Sequence, residues 1–262
     1  MMVQVDAHKD LSPEERSYLY DLAVEKLPPH GKEAFMQQMG DDVHVKLDKN
    51  GFGMHIGTDD SGGHIGGFSG ASRMNHDCRP NVAYRITNIT HITTAIRDIA
   101  PGEELTISYI NANLPRSERQ ERLSQWGFQC RCAHCSMGDA EAEASDARVR
   151  LIAELETELD DPFSKKVTAE TGAQLVALYE EERLDIYLGP AYTRAALNYG
   201  LFAEEKKAKE YAQKAIGALT RQSGPKAGDL PSLEALAQDP RSHWTWGKRK
   251  VVQIPVEDLN FA

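Results

Sequence analysis

Three of the four cysteines of this chain fall within six residues, Cys130-Arg131-Cys132-Ala133-His134-Cys135, and the fourth, Cys78, lies far upstream. Thiols at that spacing suit a tetrahedral Zn²⁺, and Cys78 completes a four-sulfur set if the fold brings it back. The alternative is three buried thiols and an unrelated Cys78. His134 is a rival ligand, or else an exposed residue between two thiols. Four protein ligands close the coordination shell, so such a metal is structural rather than catalytic. The start of the chain lacks the basic and apolar regions of a secretory signal, which argues for reduced thiols and against cystines. The setting expected is intracellular, in cytoplasm or nucleus.

Composition narrows the remaining classes. With 262 residues the chain is long enough for one large domain or two small ones. Thirty Lys+Arg against forty Asp+Glu give a net charge of −10, which disfavours a general binder of nucleic acid or anionic membranes. No apolar run approaches the roughly 18 residues of a membrane span.

Local patterns divide the chain. Residues 1–47 read as helix: Ser12-Pro13-Glu14-Glu15 is a capping box, Leu19, Leu22, Ala23 and Leu27 follow at helical spacing, and Pro28-Pro29 ends the run. From Asp48 to Gly70 the chain is dense in glycine and free of leucine, which predicts short strands and tight turns. Its Gly51-Phe52-Gly53 with Gly57 misses the dinucleotide-binding spacing. Val82–Ile86 and Leu105–Ile110 have the β-branched and aromatic content of strands, with Pro101-Gly102 as a turn between them. Small and acidic residues over 138–146 predict a linker exposed to proteases. Beyond it, Leu151, Leu155 and Leu159, then Leu175, Leu178 and Tyr179, have helical spacing, and Ala196, Ala208, Ala212 and Ala215 predict closely packed helices over 147–222. The Pro-broken tail, 223–262, docks His243-Trp244-Thr245-Trp246 onto those helices, while Lys248-Arg249-Lys250 is too short for a nuclear signal.

The sharpest string is Asn75-His76-Asp77-Cys78-Arg79-Pro80-Asn81. It is followed by Gly102-Glu103-Glu104-Leu105-Thr106-Ile107-Ser108-Tyr109 and then Trp126-Gly127-Phe128-Gln129 running into the cysteine cluster. In this order and spacing the motifs, over 48–137, resemble the C-terminal half of a SET domain with its post-SET zinc knuckle, in particular the SET-and-MYND branch and its fungal relatives. The similarity extends over roughly residues 48 to 220, because that branch carries a tetratricopeptide-like helical domain after the knuckle. The fold implied is α+β: a β-rich SET (β-clip) half, the knuckle, and a helical domain.

The resemblance implies transfer of a methyl group from S-adenosylmethionine to a lysine ε-amine of a protein substrate. It assigns Asn50, Ser72, Asn75, His76 and Phe128 to the cofactor, Phe52 to the lysine channel and Tyr109 to catalysis. Cys78, Cys130, Cys132 and Cys135 become the ligands of a structural Zn²⁺, which accounts for every cysteine. An aromatic channel desolvates the amine and favours its neutral form, and a tyrosine hydroxyl at its mouth orients it. Asp77 stands where the family usually has serine. The family's opening strand pair with a Gly-x-Gly cofactor loop has no counterpart before Asn50, so the chain is expected to hold only part of the SET domain. Taken singly, each residue also has a plainer role: Tyr109, Trp126 and Phe128 as packing, Asn75 and Asn81 as turn caps. A non-catalytic, zinc-stabilised module that binds a protein partner through its helices is the other function this sequence admits.

Overall fold

The computed structural model describes residues 1–4, 10–56, 63–87 and 89–249. Gly57, Lys250 and the end of the 223–262 tail lie outside them. The chain forms two compact units. One comprises residues 1–75 and 84–93, the other residues 76–83 and 94 onward.

In the first unit, helices α1 (Pro13–Glu25), α2 (Pro29–Met36) and α3 (Val43–Asn50) accompany a three-stranded antiparallel sheet. The capping box closes as expected: Ser12 Oγ accepts from Glu15 N–H at 3.2 Å, and the Glu15 carboxylate accepts from Ser12 N–H at 2.8 Å. The buried face of α1, however, is Tyr20 and Val24, packed with Val3, Phe35, Val43 and Leu47. Leu19 and Leu22, which carry the helical spacing, are 38% and 39% exposed. Apolar residues occur on two faces of this helix, and the face carrying Tyr20 and Val24 is the one that is covered.

The sheet corrects a second expectation. Residues 1–47 are not all helix, because β1 (Met2–Gln4) pairs with β3 (Gly63–Gly67), which in turn pairs with β2 (Gly51–His55) in the order β1-β3-β2. Three residues at the chain start carry too little pattern to announce a strand. Phe52 stands opposite Gly66, and a Cβ at Gly66 would lie 2.6 Å from Met54 Sδ and 2.9 Å from the Phe68 ring. The glycine content of this stretch thus makes room for large side chains. Asn50, expected on a strand, is instead the last residue of α3.

Strand β5 (Val82–Thr87) pairs with β6 (Thr90–Ala95) in a two-stranded sheet. In the second unit Ala100-Pro101-Gly102-Glu103 makes the expected turn, with Gly102 at φ +84° and Glu103 N–H donating to Ala100 O. The strand expected over Leu105–Ile110 shrinks to β7 (Thr106–Ile107), which pairs with β4 (Asn75–His76). Asn81, fully buried, staples this region: its amide donates to Glu103 and to Glu104 O, and its Oδ1 accepts from Thr106 N–H.

Helix α4 (Arg116–Ser124) leads into the cysteine cluster, and α5 (Asp139–Asp160) follows directly. The linker expected over 138–146 is therefore absent: Gly138 caps α5, and Ala142 and Ser145 are buried. Alternating Ala and Glu has high helix propensity, which outweighs the loop-like look of small acidic residues. No domain boundary falls there, since the cysteine cluster and the later helices share one unit. Helices α6 (Thr171–Glu181), α7 (Leu188–Leu201), α8 (Glu205–Ser223) and α9 (Leu230–Gln238) pack each on the next. Ala195, Ala196, Ala208, Ala212 and Ala215 are completely buried, so short side chains let the helix backbones approach. In the tail, His243 and Thr245 are buried and Ser232 Oγ lies 3.0 Å from His243 Nε2, but Trp244 remains 62% exposed. Arg249 is buried, with its guanidinium donating to Leu159 O, Asp161 O and Ser164 O around the end of α5. Among the described residues no helix is long and apolar enough to cross a membrane.

Candidate metal centre and neighbouring site residues

The fold returns Cys78 to the cluster. All four sulfurs lie within 4.8 Å of one another, and Cys78 Sγ is 3.5 Å from Cys135 Sγ. A tetrahedral zinc with Zn–S bonds of about 2.3 Å separates its sulfurs by about 3.8 Å, so the spacing fits. The chemistry of the set agrees. Without a cation, crowded sulfurs cannot all ionise: hydrogen bonds from Cys130, Cys135 and Cys78 hold the Cys132 thiol far down, while the bonds Cys78 makes to Cys130, Cys132 and Cys135 push its own thiol far up. A dication at their centre removes that conflict.

Neighbouring residues hold the sulfurs in place. Gln120 on α4 grips Cys130, accepting its N–H at 3.0 Å and donating to its carbonyl at 2.8 Å. Arg119, 1% exposed, sets Nη2 3.9 Å from Cys135 Sγ. His134 is neither one of the four grouped ligands nor exposed. Its Nε2 is taken up by Arg79 Nη2 at 2.7 Å, and the residue is 7% exposed. Burial, with Arg79 and Arg119 adding to it, pushes its imidazole down to about 4, so the ring is neutral and accepts from Arg79.

His76 links this centre to the second motif. Its Nδ1 accepts the backbone N–H of Tyr109 at 3.0 Å, which leaves the ring proton on Nε2, 3.3 Å from Cys78 Sγ. An imidazole N–H aimed at a ligating sulfur is a usual way to stabilise a thiolate. Burial pushes the His76 imidazole down to about 4, keeping it neutral. The Tyr109 ring lies 5.4 Å from His76, 5.8 Å from Trp126 and 6.4 Å from Phe128, and burial together with Glu104 raises its phenol. Phe128 is 37% exposed, an open aromatic face at the edge of this group. Asp77 turns its carboxylate to the backbone N–H of Arg79 at 2.7 Å, and burial raises it.

The other sequence-assigned residues lie in the first unit. Asn50 donates through Nδ2 to Met39 O and Lys46 O, and its carbonyl is 3.1 Å from Ser72 Oγ. Ser72 Oγ also reaches Phe68 O and accepts from Gln38 Nε2. Asn50 and Ser72 are thus brought together, with their polar atoms engaged by their own unit. Phe52 is buried among Phe68, Tyr84 and His91, with ring centroids 6.0, 5.2 and 4.7 Å away. Asn75 is exposed at the end of the unit. Sequence reasoning did not single out Phe68, Tyr84, His91, Arg119 or Gln120. Arg119 and Gln120 carry a weak signal, polar residues in the helix just before the cysteines, but nothing short of the fold pairs His91 with Phe52.

Residues 4–110 match the model of the SET domain family. The match starts well before residue 48, so most of the segment read as lying ahead of the SET motifs falls inside it. The chain is 31% identical over 188 residues to histone-lysine N-methyltransferase set5 of Schizosaccharomyces pombe, covering 66% of this chain and 56% of that protein. It is 34% identical over 104 residues to N-lysine methyltransferase SMYD2 of Gallus gallus, 38% of this chain and 23% of that one. Against histone-lysine N-methyltransferase SMYD3 of Homo sapiens it is 35% identical over 80 residues, 30% of this chain and 19% of the relative. The matched stretch therefore spans about half the length of set5, and less than a quarter of the other two.

Proposed function

This chain is a SET-domain protein similar to the SET-and-MYND branch, and on that footing we propose that it transfers a methyl group from S-adenosylmethionine to a lysine ε-amine of a protein substrate, inside the cell, in cytoplasm or nucleus. The observation that carries the reading is a convergence. Three motifs remote in sequence meet at His76, Tyr109 and Phe128, beside four sulfurs spaced for one zinc ion. In this reading the first unit is the β-clip part of the SET domain, the four cysteines are a post-SET knuckle, and α6 to α9 are a tetratricopeptide-like scaffold open to a protein partner.

S-adenosylmethionine supplies an electrophilic methyl group on a sulfonium. By the resemblance, Asn50, Ser72, Asn75 and His76 would hold the cofactor, and the ring of Phe128, 37% exposed, would cover its adenine. Tyr109 orients the incoming amine through its hydroxyl, which is protonated at neutral pH like any ordinary phenol. Phe52 contributes an apolar wall to the lysine channel, where removal of water favours the neutral amine. Positioning supplies most of the rate, because displacement at a sulfonium needs only a neutral nucleophile in line with the C–S bond.

Calorimetric titration with S-adenosylmethionine, followed by transfer of a labelled methyl group to a peptide array, tests this. Phe128→Ala should weaken cofactor binding by about 1–3 kcal/mol, by analogy with the loss of a base-stacking ring. Tyr109→Phe should bind the cofactor normally and transfer poorly. Unchanged affinity in Phe128→Ala discards the assigned pocket, and undiminished transfer by Tyr109→Phe discards the catalytic role.

A further inference from the structure

Glu182, immediately after α6, is a carboxylate whose side chain is 1% exposed. An isolated charge at such burial is strongly disfavoured, so its partners must account for it. Its Oε2 accepts from Ser145 Oγ at 2.7 Å and pairs with Arg79 Nη2 at 3.0 Å, while Oε1 accepts from Arg148 Nε at 2.6 Å. Burial alone would raise this carboxyl, yet the hydrogen bonds from Ser145 and Arg148 outweigh it and hold the group below its ordinary range.

The partner that matters is Arg79, the residue after the metal-ligand candidate Cys78. Its guanidinium is engaged on every side. Nε donates to the Glu182 backbone carbonyl, Nη2 faces the Glu182 carboxylate and His134 Nε2, and Nη1 donates to Cys78 O at 2.8 Å. A planar fork bound this way fixes the Cys78 peptide relative to Glu182, which a flexible ammonium could not do. A second tie comes from Tyr187, the last residue before α7. Its hydroxyl accepts Ala112 N–H at 3.0 Å and donates to Asn111 Oδ1 at 2.9 Å, just beyond Tyr109.

We propose that Glu182 is a positioning residue for the metal centre: the elbow between α6 and α7 clamps the Cys78 loop through Arg79, and Tyr187 clamps the segment that follows Tyr109. The later helices then do more than offer a face to partners. They hold the cysteine ligands and the segment after Tyr109 in register, so that detaching the elbow loosens zinc. The inference rests on the zinc reading of the four cysteines.

The test is the rate at which zinc passes from the loaded, full chain to a chromogenic chelator, with hydrogen exchange followed in parallel. Glu182→Gln should release zinc at least about tenfold faster and lose protection over residues 130–136, while α8 keeps its protection. In the cobalt-substituted protein the same variant should shift the thiolate-to-cobalt absorption. Tyr187→Phe, which removes only a hydroxyl, should release zinc several-fold faster and serves in full if Glu182→Gln does not fold. Tyr199→Phe, whose hydroxyl contacts Glu170 in the same helical region, should release at the parent rate. Parent-like release in the folded clamp variants, or faster release with an equal loss of protection in α8, overturns the clamp. Absence of zinc from the purified parent protein instead removes the metal reading and the clamp with it.

Discussion

In residues 1–75 and 84–93 the candidate residues are packed among aromatic rings and backbone carbonyls, with Phe52 between Phe68, Tyr84 and His91. In residues 76–83 and 94–249 they surround four sulfurs and a buried carboxylate. The first arrangement draws its stability from buried apolar area, which needs no ligand. The second gathers four thiols within 4.8 Å of one another, a set that crowds its own sulfurs unless a cation lies among them. One unit should therefore be indifferent to metal and the other dependent on it.

Chelation is the harshest way to break that contrast. A structural zinc contributes on the order of 10 kcal/mol to the fold of its ligand loop. Its removal under reducing conditions should collapse hydrogen-exchange protection over residues 126–136 and leave β2 and β3 protected. Metal analysis should first find one zinc per chain. Protection over 126–136 that survives complete removal of the metal would mean the sulfurs are only a packed cluster.

Phe52→Ala tests the opposite side. The ring is 8% exposed and touches three others, so its loss should cost about 3–5 kcal/mol in denaturant unfolding of the first unit. Zinc content should stay at one equivalent. A cost below about 1 kcal/mol would show that the ring adds little to the packing of this unit, which leaves the lysine channel as its main role.

The two units also differ in how openly the sequence announces them. The cysteine cluster was legible because metal chemistry demands particular residue types at short spacing, and Cys78, the remaining thiol, is brought to it. Ser12 and Glu15 were legible as a capping box, because such a motif closes within a few residues. What failed was long-range. Leu19 and Leu22 have helical spacing as good as that of Tyr20 and Val24, and only the position of β1 and α3 decides which face is covered. The stretch 138–146 has the composition of a loop, yet Ala142 and Ser145 are buried in α5. Glu182 sits in a run of glutamates, and nothing local distinguishes it from its exposed neighbour Glu181. Its role exists only because Arg79, 103 residues away, reaches it.

The smallest effect concerns the Glu103 turn, in the second unit but outside its metal network. Arg97 first, then the Ala100 N–H at 3.0 Å and the Asn81 amide at 3.0 Å, hold its carboxyl down at about 2, against an ordinary 4.5. Because the folded group titrates lower than the unfolded one, its contribution is complete above about pH 4.5 and disappears as the pH falls to about 2. The pair with Arg97 is about one-third exposed, so solvent screens much of it. Glu103→Gln should therefore melt slightly below the parent protein at pH 7, and the gap should close on acidification through that window. Thermal melts at about pH 7, 4 and 2.5 measure it, at low salt where surface charge is least screened. A gap that stays constant across the three would show that Glu103 acts here as a neutral hydrogen-bond acceptor, and that its charge contributes nothing to the turn that Asn81 already staples.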